Sequence, residues 1–275
     1  MGAEKFHTIL DDDTGIEDII FNCHGYRTDP PGIMRKYQAM VSQVPATTAV
    51  VPVIWPTDEL QWGLGGYRKD QESSQKSAEL LGREFATFTE KYAPTPTRLN
   101  IVCHSMGNRL LRFMAQNIRQ DLVGTGQAAT ETEAAVKSEN LVDNIIMVAA
   151  DVPFDIFDDA TNPEPVSEGR AISTLCKHLA VFYADDDRAL DASRLFNGVK
   201  RLGAVGALVD KLSPAVTNLV NFNSSSWNNK TDSGLGHSYV VAEDTMKILN
   251  VLLQGKVPTE LAASPKSSEG GCVVS

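Results

Sequence analysis

The chain has 275 residues, with 25 Lys and Arg against 35 Asp and Glu, a formal net charge of −10. That excess of carboxylates excludes a surface built to neutralise nucleic-acid phosphates, while 42% hydrophobic and 22% charged residues exclude a disordered or collagen-like chain. Four scattered cysteines, Cys23, Cys103, Cys176 and Cys272, exclude a disulfide framework or a paired zinc motif and point to a reduced, cytoplasmic setting.

Met1 to Asp13 lack a basic segment followed by an apolar core, and no apolar run approaches the roughly 18 residues of a membrane span. A soluble protein without stable membrane insertion is expected. Gly2 is no myristoylation signal, because Phe6 stands where that motif needs Ser or Thr.

Short apolar runs alternate with segments of helical period. The runs are Asp18 to Cys23, Ala49 to Trp55, Leu99 to Cys103, Asn144 to Ala150, Lys177 to Ala184 and Val216 to Phe222. Their near-continuous hydrophobicity predicts strands covered on both faces, hence an α/β fold with a mostly parallel sheet of about six or more strands between helical layers. After the first run, Ile33, Tyr37, Met40, Val41 and Val44 form a helical stripe that follows Pro30, Pro31 and Gly32. Ala78, Leu81, Phe85, Phe88 and Tyr92 form a second stripe, ended by Pro94, and Leu110, Leu111, Met114, Ile118 and Leu122 a third that starts behind Ser105. Pro52 cannot donate to a ladder, which puts the second strand at an edge and the third on the far side of the first. Open α/β sheets bind ligands at such a reversal of winding, here just beyond Cys23 and Cys103.

Three stretches read as surface loops or lid elements: Gly124 to Asn140, Asp155 to Gly169 and Asn221 to Gly236. A single domain over residues 1–255, with a core at about 18–251, is expected to be followed by a flexible polar tail at 256–275.

The sharpest chemical signal is a strand running into Cys103-His104-Ser105-Met106-Gly107 and then directly into a helix. This is the strand-turn-helix of a nucleophile elbow, with Cys103 where a glycine is usual. The competing reading is a helix merely capped by Ser105. The first strand ends in His24-Gly25-Tyr26, so the backbone N–H groups of Tyr26 and Met106 are candidate donors of an oxyanion hole. A serine hydroxyl needs a base, and the base needs a group to orient it. Of the two histidines downstream of Ser105, His178 sits at the start of a strand run, whereas His237 lies in a glycine-bounded loop after the last one. His237 is the candidate base. The acid is expected among Asp185, Asp186 and Asp187, with Asp151 as the competitor, and no spacing suggests a metal or another cofactor.

The segments Cys23-His24-Gly25-Tyr26, Ile54-Trp55-Pro56, His104-Ser105-Met106-Gly107-Asn108, Asp187-Arg188-Ala189-Leu190 and Gly236-His237-Ser238-Tyr239 stand in the order of the α/β-hydrolase superfamily. Over about Asp18 to Val251 the chain resembles the esterase/lipase-like branch of that superfamily, whose members mostly lack an assigned substrate. The resemblance implies a serine hydrolase of carboxylic esters, with Ser105 as nucleophile, Asp187 as acid, His237 as base and a small-molecule acyl ester as substrate. It also implies wall or structural roles for Trp55, Tyr67 and Arg188, the last holding the acid loop by an ion pair. Amide or thioester hydrolysis is the alternative within enzymes, and an inactive hydrolase-shaped scaffold distorted by Cys103 the alternative outside them.

The terminal Cys272-Val273-Val274-Ser275 fits the prenylation pattern, with Ser favouring farnesyl. One lipid chain on Cys272, with Lys256 and Lys266 nearby in sequence, would give no more than weak, reversible membrane contact.

Overall fold

The computed structural model describes residues 15–58, 63–92, 95–124, 130, 138–158, 168–212, 216–225 and 235–256. Six strands form one parallel sheet: β1 (Asp18–Cys23), β2 (Thr48–Val53), β3 (Arg98–His104), β4 (Val142–Val148), β5 (Cys176–Tyr183) and β6 (Leu219–Asn223). Their order is β2-β1-β3-β4-β5-β6. β2 is an edge strand, as the missing N–H of Pro52 demands, and β3 lies across β1 from it. Cys23 stands opposite Cys103 in the ladder, so the segments that leave the two strands emerge side by side.

Side chains alternate between two apolar cores, as a period of two requires. Ile19, Phe21, Cys23, Ile101 and Cys103 enter one, and Ile20 and Val102 the other. The first core is roofed by α2 (Leu64–Tyr92), α3 (Gly107–Gly124) and α4 (Glu168–Thr174). Phe21 meets Phe85 and Phe88 of α2 edge-on, with centroids 5.2 and 5.1 Å away, the offset that aromatic quadrupoles favour. The second core is closed by α1 (Pro30–Val41) and α7 (Glu243–Leu253) through Met40, Met246, Leu249 and Leu252. Each such side chain taken from water contributes roughly 1.5–3 kcal/mol. Two further α-helices, α5 (Arg188–Asn197) and α6 (Leu202–Val205), follow β5.

Several expected boundaries move. The prolines belong to the first turn of α1: Asp29 caps it by accepting from the Gly32 N–H at 2.8 Å, and proline at N1 removes a donor that would be orphaned. Val44 lies beyond the end of α1. α2 begins at Leu64, well before its apolar stripe, because its first turns are mostly polar and carry no helical pattern of hydrophobic residues. β2 stops at Val53, short of Trp55. The loop expected from Asn221 starts inside β6, where the buried Asn221 side chain pairs with both the N–H and the C=O of Ala207. Most of the three expected loops, the tail and Cys272 lie outside the described residues. Among the described residues no helix is long and apolar enough to cross a membrane, and no cluster of His, Cys, Asp or Glu could hold a metal ion.

Candidate active site

β3 runs one residue further than its apolar pattern, through His104, and hands the chain to Ser105 in a left-handed conformation (φ +54°). Such a backbone costs roughly 1–3 kcal/mol in a non-glycine residue and persists only where its surroundings dictate it. Here β4 does so. The Ser105 N–H donates to Val148 O at 3.0 Å, and Ser105 O accepts from the Asp151 N–H at 3.2 Å. The amide of Asn108, wholly buried, donates to Cys103 O, Ser105 O and Val148 O at 3.2, 3.1 and 3.3 Å. Sequence reasoning assigned Asn108 no such part.

Gly107 is required sterically, since a Cβ there would sit 2.7 Å from both Cys23 O and His24 O. Gly25 is equally constrained: a Cβ would stand 2.8 Å from Ser105 Cβ. Cys103 does not distort the turn, because its side chain points away into the first core beside Cys23. Burial, followed by the contact with Cys23, pushes its thiol well up, so Cys103 is no nucleophile.

The His24-Gly25 turn is locked by Trp55. The indole N–H donates to His24 O at 2.9 Å, the Trp55 backbone N–H donates to His24 Nε2 at 3.3 Å, and the two rings stack with centroids 5.1 Å apart. Nδ1 then carries the proton, donated to Gly25 O at 3.0 Å. Burial lowers the pKa of this imidazole. The chain leaves the turn at Tyr26, which borders the same cleft as Ser105, while Met106 is wholly buried behind it.

Of the three consecutive aspartates, Asp185 and Asp186 are exposed and Asp187 is 1% exposed. Asp187 caps α5, its Oδ1 accepting from the Leu190 N–H at 3.0 Å. Its Oδ2 accepts from His237 Nδ1 at 2.7 Å, and His237 Nε2 stands 2.8 Å from Ser105 Oγ. Burial raises the Asp187 carboxyl above its ordinary range, and the hydrogen bond from His237 is the largest effect opposing it. The loops that carry His237 and Asp187 are tied together by the Arg188 N–H, which donates to Leu235 O at 3.0 Å. His237 O in turn accepts from His104 Nε2 at 2.9 Å. Burial holds His104 well below its ordinary pKa, so it is a neutral wall residue.

Asp151, the rival acid, faces elsewhere. Its Oδ1 accepts from Arg201 Nε at 2.8 Å and from the Ser193 hydroxyl, and its Oδ2 accepts from the Tyr67 hydroxyl at 2.6 Å. Arg201 also donates to Asp151 O at 2.6 Å. Both charged side chains are buried, and the network joins α2, the end of β4 and α5. Burial, followed by the Asp151 charge, raises the Tyr67 phenol far above its ordinary value, so it donates as a neutral hydroxyl.

A family model described as "Alpha/beta hydrolase of unknown function (DUF900)" matches residues 3–255. The chain belongs to this alpha/beta hydrolase family. No curated protein sequence matches it. Among solved structures it is similar to a thermostable esterase from Pseudomonas putida ECU1011, at 11% identity and a TM-score of 0.44, over 90% of this chain and 76% of that one. It is similar also to a Pyrobaculum calidifontis esterase (11%, TM-score 0.41, 88% and 77% of the two chains) and to esterase PE8 (12%, 0.42, 87% and 93%).

In this alpha/beta hydrolase the Ser105 hydroxyl opens on a cleft of about 520 Å³, which His237, Tyr26 and Tyr67 also border. A second cavity of about 290 Å³, lined mostly by apolar side chains including Phe21, Val53, Phe85 and Phe88 under α2, shares no residue with it. The ion pair expected of Arg188 does not form among the described residues, where its exposed side chain borders the cleft.

Proposed function

We propose that the chain is a serine hydrolase that cleaves a carboxylic ester through an acyl-Ser105 intermediate. The observation that carries this reading is the continuous relay from Ser105 Oγ through His237 to Asp187, at 2.8 and 2.7 Å. With Asp187 accepting a hydrogen bond from Nδ1–H, His237 presents a bare Nε2 to the hydroxyl. As Oγ attacks the ester carbon, its proton moves to Nε2, and the carbonyl oxygen gains charge. The N–H groups of Met106, immediately before α3, and of Tyr26, beyond the locked His24-Gly25 turn, are the proposed donors to that oxygen. Collapse expels the alcohol, which takes the proton from His237. A water molecule, deprotonated by the same nitrogen, then attacks the acyl group and restores Ser105 while releasing the acid. No observation favours a scaffold role, since that reading needed an elbow distorted by Cys103.

A fluorophosphonate probe tests the proposal. The folded wild type should be labelled at Ser105, and Ser105→Ala should abolish both labelling and turnover of p-nitrophenyl esters. A folded wild type that takes no label overturns it.

A further inference from the structure

The cleft above Ser105 carries charge opposite to that of the chain. Against the overall −10, its lining includes four cations, Arg27, Arg35, Lys36 and Arg188, and two carboxylates, Asp29 and Asp151, a formal excess of two positive charges. Both carboxylates are engaged already. Asp151 is committed to Arg201, Tyr67 and Ser193, while Asp29 caps α1 and stands 3.9 Å from Arg35. Asp187 lies below, bonded to His237.

The cations come from opposite walls. Lys36 lies on α1, which follows β1; Arg188 opens α5, which follows β5; and Ser105 stands between them at the end of β3, as the strand order dictates. The Lys36 charge is felt at His104, which lines the cleft, and at His24 in the neighbouring turn, adding to the depression that burial causes in both. Arg188 is held by its backbone beside the acid and has no ionic partner among the described residues. A guanidinium fork matches the paired oxygens of carboxylates and phosphates, and a cationic cleft in an anionic protein draws in anions that the rest of the surface repels.

We infer that the substrate of this site is an anionic ester, one whose acyl or alcohol half bears a carboxylate or phosphate that Arg188 and the α1 cations hold while Ser105 meets the ester carbonyl. This inference rests on the hydrolase reading above and names its substrate class.

The test uses two matched pairs at low ionic strength. Mono-p-nitrophenyl adipate is compared with p-nitrophenyl hexanoate for charge on the acyl half, and 4-carboxyphenyl acetate with phenyl acetate for charge on the alcohol half. In at least one pair kcat/KM should favour the anion by about tenfold or more. That ratio should fall toward one in about 1 M salt, and likewise in Arg188→Gln and Lys36→Gln. In parallel, adipate is titrated calorimetrically into Ser105→Ala, with hexanamide as the neutral control; adipate should bind more tightly, and less so once Arg188→Gln is added. Ester turnover with no anion preference in either pair overturns the inference and leaves the hydrolase reading standing. Salt-sensitive binding of adipate to a protein that turns over no ester and takes no fluorophosphonate would overturn the hydrolase reading and support the anion site.

Discussion

Replacing Asp187 by Asn tests the proposed relay at its least accessible member. The Asp187 side chain is fully buried, with one oxygen on the Leu190 N–H at 3.0 Å and the other on His237 Nδ1 at 2.7 Å. An asparagine of the same shape keeps the first bond through its carbonyl oxygen and so preserves the cap of α5. Its NH2 then faces Nδ1, which must turn from donor to acceptor, and the imidazole proton moves to Nε2. The atom 2.8 Å from Ser105 Oγ becomes a donor and can no longer take the serine proton. A wrong tautomer of this kind costs about 10³–10⁴ in turnover, roughly 4–5.5 kcal/mol of transition-state stabilisation. Steady-state hydrolysis of p-nitrophenyl esters measures the loss, with circular dichroism verifying that the variant is folded. Asp185→Asn, at an exposed position, should stay within about twofold of the wild type. Turnover of Asp187→Asn within tenfold of the wild type, or an equal loss in Asp185→Asn, would refute the tautomer argument.

Arg201→Met should leave the buried Asp151 charge without its cation and lower stability by about 3–5 kcal/mol in urea unfolding, whereas Asp151→Asn together with Arg201→Met should recover part of that loss. A deficit below about 1 kcal/mol in the single variant would mean that Tyr67 and Ser193 suffice to hold the carboxylate. Acid should weaken the fold through His104. Its native pKa lies well below the ordinary 6.5, so below that pH the unfolded chain binds the extra proton and stability falls as pH falls. His104→Gln, which can keep the bond to His237 O, should reduce the stability lost between about pH 7 and 5.5, a loss of up to about 1.4 kcal/mol per pH unit for one such group. Parallel stability curves for the two proteins would contradict the neutral, buried histidine.

The strand runs, the helical stripes and the edge position of β2 were legible in the sequence because each rests on forces acting over a few residues: side-chain period and the missing N–H of Pro52. The elbow was legible for the same reason, since strand, turn and helix are contiguous around Ser105. Among Asp151 and the run from Asp185 to Asp187, local pattern left the choice open. Packing sets the four carboxylates apart, by burying Asp187 as the cap of α5 against His237 and by engaging both oxygens of Asp151 with Tyr67, Ser193 and Arg201. Cys103 in the elbow raised the prospect of a distorted turn, and only the position of Cys23 across the ladder showed that a thiol fits there. The start of α2 was hidden because a helix with few apolar residues in its first turns has no hydrophobic stripe to read.

What the sequence determined alone is therefore the order of the elements and the kinds of group available at the ends of the strands. Tertiary structure decided which of them meet: Ser105 and His237 are 132 positions apart, Tyr67 and Asp151 are 84 apart, and Arg188 faces the cleft. Contacts across such separations depend on how whole layers pack, and no local periodicity records that.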